Sequence, residues 1–400
     1  MLEYAFDPDP ASWSQQHRTR RIGEMAASVP TRIISADCHI NEPPHVFDGV
    51  PAALKSRAPK IMRGADGGDG WSYDGKPPGR TFGIEAVSGR EGEDKKLTGL
   101  RFDEILPGNY EGKAHVKDME TDGVDVSIVY PTHAARAYIE PDRELALACL
   151  RSFNDWMLGE FQAAASDHLI GLPMLPVDDG MDTCVAEFER YLKAGARAGF
   201  LPGLPQRPYH DPYYEPLFAR AAEAKTPLTF HRTFGGKPIE ADWDELVGLK
   251  VTAAGTVNRF FSSIRPFTYM VYGGVFERHP NLKIVAAEVN FGWVPFWLQT
   301  MEQNFTVRSE LGDATLATKK RPTEYMGENL FVTVIDDKVG FDLTPEHPWL
   351  AKTAMWCSDY PHSVSAWPNS RKVLTELGAH LETEQLEDIA HGNAARAYGI

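Results

Sequence analysis

Short apolar segments alternate with longer amphipathic segments along this chain, from about residue 31 to the C-terminus. An apolar run of about five residues is typical of a buried strand, whereas apolar positions spaced three and four apart indicate a helix. Helical spacing is found, for example, over residues 144–165, 181–194 and 214–224. The apolar runs predict eight strands, which are 32–39, 124–130, 169–175, 199–201, 228–231, 282–288, 330–335 and 355–358.

Strands that alternate with helices pair in parallel, and eight such units match a closed barrel. The sequence therefore predicts an α/β fold, namely a (β/α)8 TIM barrel over residues 31–400. Such a barrel typically needs about 250 residues, so a chain of 400 residues leaves room for insertions. Residues 1–30 are polar and irregular. We interpret them as an N-terminal extension that wraps the body or a neighbouring subunit.

Two segments interrupt the alternation. Residues 50–115 follow the first predicted strand and are rich in Gly, Pro, Asp and Lys. A loop of this length inside a compact domain is usually functional or disordered. Its aromatic residues Trp71, Tyr73 and Phe82 favour a lid over the catalytic mouth, and a mobile surface insertion is the alternative. Residues 234–267 follow the fifth predicted strand, and we expect this second insertion to form another pocket wall.

Residues with metal-ligand chemistry close three of the apolar runs, and these residues are Asp37, His39, His231 and Asp359. The C-terminal ends of barrel strands form the catalytic face, so we expect the four side chains to converge. Asp37 and His39 are two residues apart and therefore point to the same side of a strand. Two carboxylates and two imidazoles suit zinc, or a harder ion such as manganese. The sequence predicts one divalent ion, with Zn²⁺ favoured and Mn²⁺ as the alternative.

Composition narrows the class of protein. The formal net charge of −15 argues against nucleic acid or an anionic membrane as a partner. There is no apolar run of about 18 residues and no secretory signal pattern, and we expect a cytoplasmic protein that acts on a small molecule. No nucleophile elbow or dinucleotide fingerprint occurs. The four cysteines are far apart and are expected to be reduced core residues, namely Cys38, Cys149, Cys184 and Cys357.

Several motifs occur in a fixed order along most of the chain. They are Asp37-Cys-His39-Ile-Asn-Glu-Pro43, residues 118–125, Tyr130-Pro-Thr132, His231, and residues 275–283, 292–295, 358–362 and 392–396. In these motifs the chain resembles the amidohydrolase-related family that includes aminocarboxymuconate-semialdehyde decarboxylase. The resemblance implies a (β/α)8 barrel with one divalent metal at the C-terminal face, and a homodimer or higher homo-oligomer. The family's reactions include nonoxidative decarboxylation, hydrolysis of C–C, ester or amide-type bonds, and hydration.

Two positions depart from the family pattern. Some relatives begin with His-x-His or Glu-x-His, where this chain has Asp37-Cys38-His39. Decarboxylase relatives end the sixth strand with a catalytic histidine, and Glu288 stands at the matching position here. This substitution favours a metal-dependent hydrolase that uses metal-activated water on a small aromatic or carboxylated substrate. A metal-dependent nonoxidative decarboxylase is the alternative, and a barrel that only binds is a third interpretation, against which the ligand set argues.

Glu288 and Asp359 are the candidate proton-transfer residues. Burial at a strand end would suit Glu288 to general acid–base catalysis near neutral pH. Pairing of Glu288 with a cation, or a role in capping a loop, is the alternative. Asp359 would accept a proton as a carboxylate that contacts both metal and water. Further residues near strand ends are candidates for substrate binding, and they are His133, Arg232, Trp293 and His362.

Overall fold

The computed structural model of the protein describes residues 29–231 and 252–400. Its strands fall at the predicted apolar runs, with an additional pair inside the first insertion. The strands are β1 (Ile34–His39), β2 (Lys60–Arg63), β3 (Asp69–Ser72), β4 (Val126–Tyr130), β5 (Leu169–Gly171), β6 (Gly199–Leu201), β7 (Leu228–His231), β8 (Ile284–Ala287), β9 (Leu330–Val334) and β10 (Ala354–Trp356).

Helices connect successive parallel strands. They are α1 (Gly112–Asp122), α2 (Arg143–Trp156), α3 (Met181–Lys193), α4 (Glu215–Ala224), α5 (Thr252–Arg259), α6 (Ile264–Tyr272), α7 (Val275–Arg278), α8 (Val294–Glu310), α9 (Lys338–Leu343), α10 (Leu350–Thr353), α11 (Ser370–Leu377), α12 (Thr383–Glu387) and α13 (Asn393–Tyr398). The predicted helix over 144–165 is α2 followed by a π-helical turn, Met157–Phe161, and a short 3₁₀ turn. The carboxylate of Asp142 caps the start of α2 by accepting the Leu145 N–H at 3.1 Å.

The parallel strands form two sheets, in the orders β1-β4-β5 and β10-β9-β8-β7-β6. Backbone hydrogen bonds link these sheets on both sides. Phe200 N donates to Pro173 O at 2.8 Å between the β5 and β6 segments, and Asp359 N donates to Asp37 O at 3.1 Å between the β10 and β1 segments. The prediction of a mixed α/β fold with parallel strands is confirmed, and the linked strands are consistent with a TIM barrel.

The strands form the centre of the core. Every residue of β1, β4 and β9 is buried, as expected for parallel strands that are covered on both faces. The predicted strand 169–175 is interrupted after Gly171, because Pro173 has no N–H for the ladder, and Met174 forms only an isolated bridge to Phe200. All four cysteines are buried free thiols, in agreement with the prediction.

The insertion at residues 50–115 folds into a packed segment. Its β2 and β3 strands form an antiparallel hairpin, in which Ile61 pairs with Trp71. Phe82 forms an antiparallel bridge with Leu100, and the side chains of Phe82 and Trp71 are buried. Trp71 also packs edge-on against Phe47, with ring centroids 5.2 Å apart. The aromatic residues that favoured a lid therefore anchor the insertion to the body of the protein.

Two predicted segments lie largely outside the described residues. Of the N-terminal extension at 1–30, only residues 29 and 30 are described. The second insertion, at 234–267, is described from residue 252 onward, where it contains α5 and the start of α6. Across the ranges 29–231 and 252–400, no helix has both the length and the apolar character needed to cross a bilayer.

Candidate metal centre

Three strand ends supply the four predicted metal ligands. β1 carries Asp37 and His39, β7 ends at His231, and Asp359 lies three residues beyond the end of β10. The side chains of Asp37, His39 and Asp359 are fully buried, and that of His231 is 2% exposed. The structure therefore brings together at one end of the strands the residues that the sequence places up to 322 positions apart.

The donor atoms of these residues are close neighbours. His39 Nε2 lies 3.2 Å from His231 Nε2, 3.4 Å from Asp37 Oδ1 and 3.6 Å from Asp359 Oδ1. His231 Nε2 lies 3.8 Å from Asp37 Oδ2. Donors bound at about 2.1 Å around one tetrahedral ion are separated by about 3.4 Å. The observed separations are therefore those of ligands that share a single cation.

The surroundings of His39 keep its ring in the form that binds metals. Its Nδ1 lies 3.2 Å from the carbonyl oxygen of Pro131. A carbonyl only accepts hydrogen bonds, so Nδ1 carries the hydrogen and Nε2 presents its lone pair to the cluster. Burial, together with the nearby His362, lowers the pKa of His39 to about 3. A neutral imidazole results, which is the state required of a metal ligand.

The chemistry of the donor set fits a divalent cation. Ligand atoms of Asp37, His39 and His231 all lie within 4.8 Å of one another. In the low dielectric of the interior, carboxylate oxygens and imidazole lone pairs held this close repel one another unless positive charge lies among them. Burial disfavours protonation of His39 by lowering its pKa, and a divalent cation is a species that this donor set could hold.

Glu288 and Asp359 have unusual backbone conformations. Their φ angles are 56° and 50°, in the left-handed region that residues with a side chain rarely adopt. Glu288 directly follows β8, and its turn places Oε2 3.2 Å from His231 Nε2. Strained residues of this kind cluster at functional sites because the surrounding structure must hold them in place. The sequence predicts a strand over 282–288, but β8 ends at Ala287, because the backbone turns at Glu288.

His362 joins the cluster through Asp359. Its Nδ1 lies 2.9 Å from Asp359 Oδ1, and its ring stacks on that of His39 with centroids 4.1 Å apart. Ligand atoms of His39, Asp359 and His362 form a second set with metal-binding spacing. Since the side chain of His362 is 18% exposed, it lies at the border between the buried donors and the solvent side of the site.

His133 faces the insertion. Its Nε2 lies 3.1 Å from Asn41 Oδ1 and 3.9 Å from Glu85 Oε1, and its ring packs edge-on against Phe82. Burial lowers the pKa of His133 to about 4. Glu85 in turn pairs with the guanidinium of Arg80. His133 therefore connects the β4 end to charged residues of the insertion, and its role in substrate binding stays a prediction.

Of the remaining two predicted substrate contacts, Trp293 and Arg232, only Trp293 lies among the described residues. The indole N–H of Trp293 donates to Val289 O at 2.9 Å, and its ring packs on Trp297 with centroids 5.7 Å apart. These contacts hold the partly buried indole between the β8 loop and α8, and its role in substrate binding stays a prediction. Arg232, which follows the ligand His231, lies outside the described residues.

Two residues outside the predicted set hold the donors in place. The buried carboxylate of Glu42 accepts the N–H groups of residues 132, 133 and 134, each at 2.9 Å. It thereby fixes the loop whose Pro131 carbonyl orients His39. Thr333, the last residue but one of β9, contacts both Asp37 and Glu288. The position of Glu42 in the Asp37–Pro43 motif is a signal in the sequence, whereas Thr333 resembles any strand threonine.

Comparison with known proteins gives a consistent result. The profile of the Amidohydrolase family matches residues 107–400. The 2-amino-3-carboxymuconate-6-semialdehyde decarboxylase of Dictyostelium discoideum is 22% identical over 310 residues, which cover 76% of this chain and 81% of that protein.

Among solved structures, an amidohydrolase from Mycobacterium avium subsp. paratuberculosis is similar with a TM-score of 0.75 and 18% identity, over 93% of this chain and 99% of that one. A 5-carboxyvanillate decarboxylase from Novosphingobium aromaticivorans, in complex with manganese and 4-hydroxy-3-methoxy-5-nitrobenzoic acid, has a TM-score of 0.63 and 16% identity, over 94% and 100% of the two chains. Because the family profile matches well over half of its length, this chain belongs to the amidohydrolase family.

Proposed function

We propose that this protein is a metal-dependent nonoxidative decarboxylase of a small carboxylated molecule. The observation that carries the proposal is the convergence of two imidazoles and two carboxylates, with donor separations of 3.2–3.8 Å, at one end of the parallel strands. The carboxymuconate-semialdehyde and carboxyvanillate relatives are decarboxylases, whereas the Mycobacterium avium relative is named only as an amidohydrolase. They favour decarboxylation over the hydrolysis that Glu288 suggested from the sequence.

One divalent ion would be held by four side chains, those of Asp37, His39, His231 and Asp359. We propose manganese first, because a structural relative holds it, and zinc as the alternative that the donor set equally suits. A bound divalent ion supplies positive charge that orients and polarises oxygen atoms of the substrate. We further propose that the eight parallel strands close into a barrel around this site. That the protein forms a homo-oligomer and acts in the cytoplasm stays a prediction.

The chain's own residues would carry the proton. In the proposed reaction the bond between the carboxylate carbon and the substrate breaks, carbon dioxide leaves, and the electron pair stays on the substrate carbon. A proton then forms the new C–H bond. Glu288, with Oε2 3.2 Å from His231 Nε2 and only 4% exposed, is placed to hold that proton at the edge of the donor cluster. Asp359 and His362 form a second pair that can hold a proton.

The first insertion would act as a lid that closes one side of the mouth. Ser88 N donates to Pro361 O at 3.1 Å, and Ser363 N donates to Ile84 O at 2.7 Å, so the insertion is bonded to the loop that carries His362. Arg80 lies on the same segment, with its side chain about half exposed. We propose that this guanidinium binds an anionic group of the substrate, because arginine matches carboxylate geometry.

Product analysis tests this proposal. Protein reconstituted with Mn²⁺ is incubated in D₂O with 5-carboxyvanillate or 2-amino-3-carboxymuconate-6-semialdehyde, and the products are analysed by mass spectrometry. We expect one carbon dioxide per turnover and one deuterium at the carbon that carried the carboxylate. Products that contain an added water, without release of carbon dioxide, would show a hydrolase and overturn the proposal. Glu160→Gln, which alters a surface carboxylate paired with His45, serves as the control variant.

A further inference from the structure

Thr333 lies between a proposed metal ligand and the proposed proton carrier. It is fully buried in β9, and its hydroxyl oxygen accepts the backbone N–H of Glu288 at 2.7 Å. The same oxygen lies 3.4 Å from Asp37 Oδ2. These contacts join Thr333 to Asp37, which is 296 positions away in the sequence, and to Glu288, which is 45 positions away. One hydroxyl group therefore connects β1 and the end of β8.

The direction of the hydrogen bonds follows from the donors available. A hydroxyl has one hydrogen to donate and two lone pairs that can accept. Since one lone pair of the Thr333 oxygen is used by the Glu288 N–H, its own hydrogen is available for an acceptor. The carboxylate of Asp37 is a strong acceptor, whereas the thiol of Cys357, which also contacts this hydroxyl, is a weak one. The hydrogen is therefore directed to Asp37 Oδ2.

Thr333 also holds the strained turn after β8. Glu288 and Asn290 both have a φ of 56°. The Glu288 N–H is bound by the Thr333 hydroxyl, and the Asn290 N–H donates to the Thr333 carbonyl oxygen at 3.1 Å. A left-handed residue with a side chain is strained and persists only where its surroundings hold it. Two hydrogen bonds from one residue of β9 supply that restraint.

We propose that Thr333 is a positioning residue that couples the ligand Asp37 to the proton carrier Glu288. Its hydroxyl fixes the direction in which Asp37 presents its carboxylate, and the same oxygen fixes the backbone from which Glu288 projects. The Asp37 half of this proposal concerns metal binding alone, and the Glu288 half rests on the proposed function. Valine has nearly the shape of threonine, so a residue needed only for packing would tolerate the change from Thr333 to valine.

Metal binding tests the first half. Affinity for Mn²⁺ is measured by calorimetry on metal-free protein for Thr333→Val and Thr333→Ser. We expect Thr333→Val to weaken binding by about 10- to 100-fold, as is usual when a partner of a metal ligand is lost. Thr333→Ser keeps the hydroxyl and should bind nearly as tightly as the wild type. Thr344→Val is the matched control, since Thr344 is equally buried but its hydroxyl donates only to the Gly340 carbonyl.

Two outcomes would overturn the coupling to Asp37. One is wild-type affinity for Mn²⁺ in Thr333→Val. The other is an equal loss of Mn²⁺ affinity in the valine and serine variants, which would show that Thr333 acts through packing and not through its hydroxyl. Circular dichroism and thermal unfolding show whether each variant folds, and Thr333→Ala replaces the valine variant if that one does not. Because Mn²⁺ is the only ligand used, this test remains decisive even if the wild type decarboxylates no substrate and the proposed function fails.

A double-mutant cycle tests the second half. The turnover numbers of Thr333→Val, Glu288→Gln and the double variant are compared at saturating Mn²⁺. If Thr333 acts by positioning Glu288, the double variant should be no slower than Glu288→Gln alone, since residues in one network are not additive. If the loss of turnover in the double variant equals the product of the losses in the two single variants, Thr333 and Glu288 act independently. That result would overturn this half of the proposal.

Discussion

The β1 side of the metal centre differs from the β8 and β10 side in how its side chains are held. Asp37 and His39 lie within a regular, fully buried strand, so the pleat and the strand ladder fix their direction. Glu288 and Asp359 lie beyond strand ends in left-handed conformations, where no ladder holds them. Hydrogen bonds to neighbouring segments take over there, since the Glu288 N–H donates to the Thr333 hydroxyl oxygen and the Asp359 N–H donates to the Asp37 carbonyl oxygen.

This difference suggests a division of labour. A metal ligand benefits from a fixed direction, and the β1 side provides it with the added support of Glu42 and Pro131. Glu288, the proposed proton carrier, projects into the site from a residue that the ladder of β8 does not include. Turning the chain into a strained conformation directly after β8 accomplishes this at a local energetic cost. Variants of the β1 ligands and variants of Glu288 should therefore fail in different ways.

Replacement of His39 should have the largest effect. Its Nε2 lies within 3.6 Å of donors from the three other proposed ligands, so His39→Ala removes the centre of the donor set. We expect loss of bound Mn²⁺ and of all metal-dependent turnover, measured by elemental analysis and carbon dioxide release. His168→Gln, at an exposed histidine, should retain both. Undiminished metal content in His39→Ala would refute the assignment of the β1 side to metal binding.

Glu288→Gln should separate proton transfer from metal binding. Removal of a general acid–base group typically slows turnover by about 10²- to 10⁴-fold. The affinity for Mn²⁺ should change little, because the four proposed ligands remain. Turnover rates and calorimetric titration on the same preparation check this. Wild-type turnover with metal bound would show that Glu288 carries no proton, and the two sides would then no longer differ in function.

Glu42→Gln should loosen the β1 side without touching a metal ligand. The neutral amide cannot accept three N–H groups as well as the buried carboxylate does, so backbone donors of residues 132–134 lose partners. An unsatisfied buried group costs about 1–3 kcal/mol, and we expect a decrease of this size in the free energy of unfolding in urea. Glu160→Gln at the surface should leave stability unchanged, and an equal change in both variants would contradict the role of Glu42.

The pH dependence of stability should show the smallest effect. Burial lowers the pKa of His133 from 6.5 to about 4, so below pH 6.5 the unfolded chain binds a proton that the folded chain does not. This contribution to stability is present in full above pH 6.5 and decreases as the pH falls towards 4. The loss of stability at pH 5, relative to pH values above 6.5, is about 1 kcal/mol when the partial exposure of the imidazole is allowed for.

Urea unfolding at pH 7 and pH 5 measures this contribution. His133→Gln should reduce the loss of stability between the two pH values, because the variant has no imidazole to protonate at this position. The exposed His168→Gln variant is the control. A loss of stability that is the same in the wild type and in His133→Gln would show that His133 is not held neutral by burial.

Local sequence patterns are sufficient to predict the β1 side. The alternation of apolar positions predicts the strand, and a spacing of two places Asp37 and His39 on the same side of it. His231 is predicted in the same way, because it closes the apolar run that forms β7. The mixed α/β fold follows from the repetition of these units, because strand and helix periodicities depend on neighbouring residues.

Tertiary contacts decide the rest of the site, and the sequence does not reveal them. The left-handed backbone of Glu288 depends on a hydroxyl that is 45 positions away in the chain. Thr333 has the appearance of an ordinary strand residue, and only the packing of β9 beside β8 and close to β1 gives it a role. Glu42 is part of a visible motif, but its three backbone partners come from the loop after β4.

Anomalous diffraction from crystals of the protein grown with Mn²⁺ would test the metal centre most directly. We predict one anomalous peak per chain at the donor cluster, about 2.0–2.2 Å from ligand atoms of Asp37, His39, His231 and Asp359. The absence of a peak at this position, or a peak bound by other side chains, would contradict the assignment of these residues as a metal site.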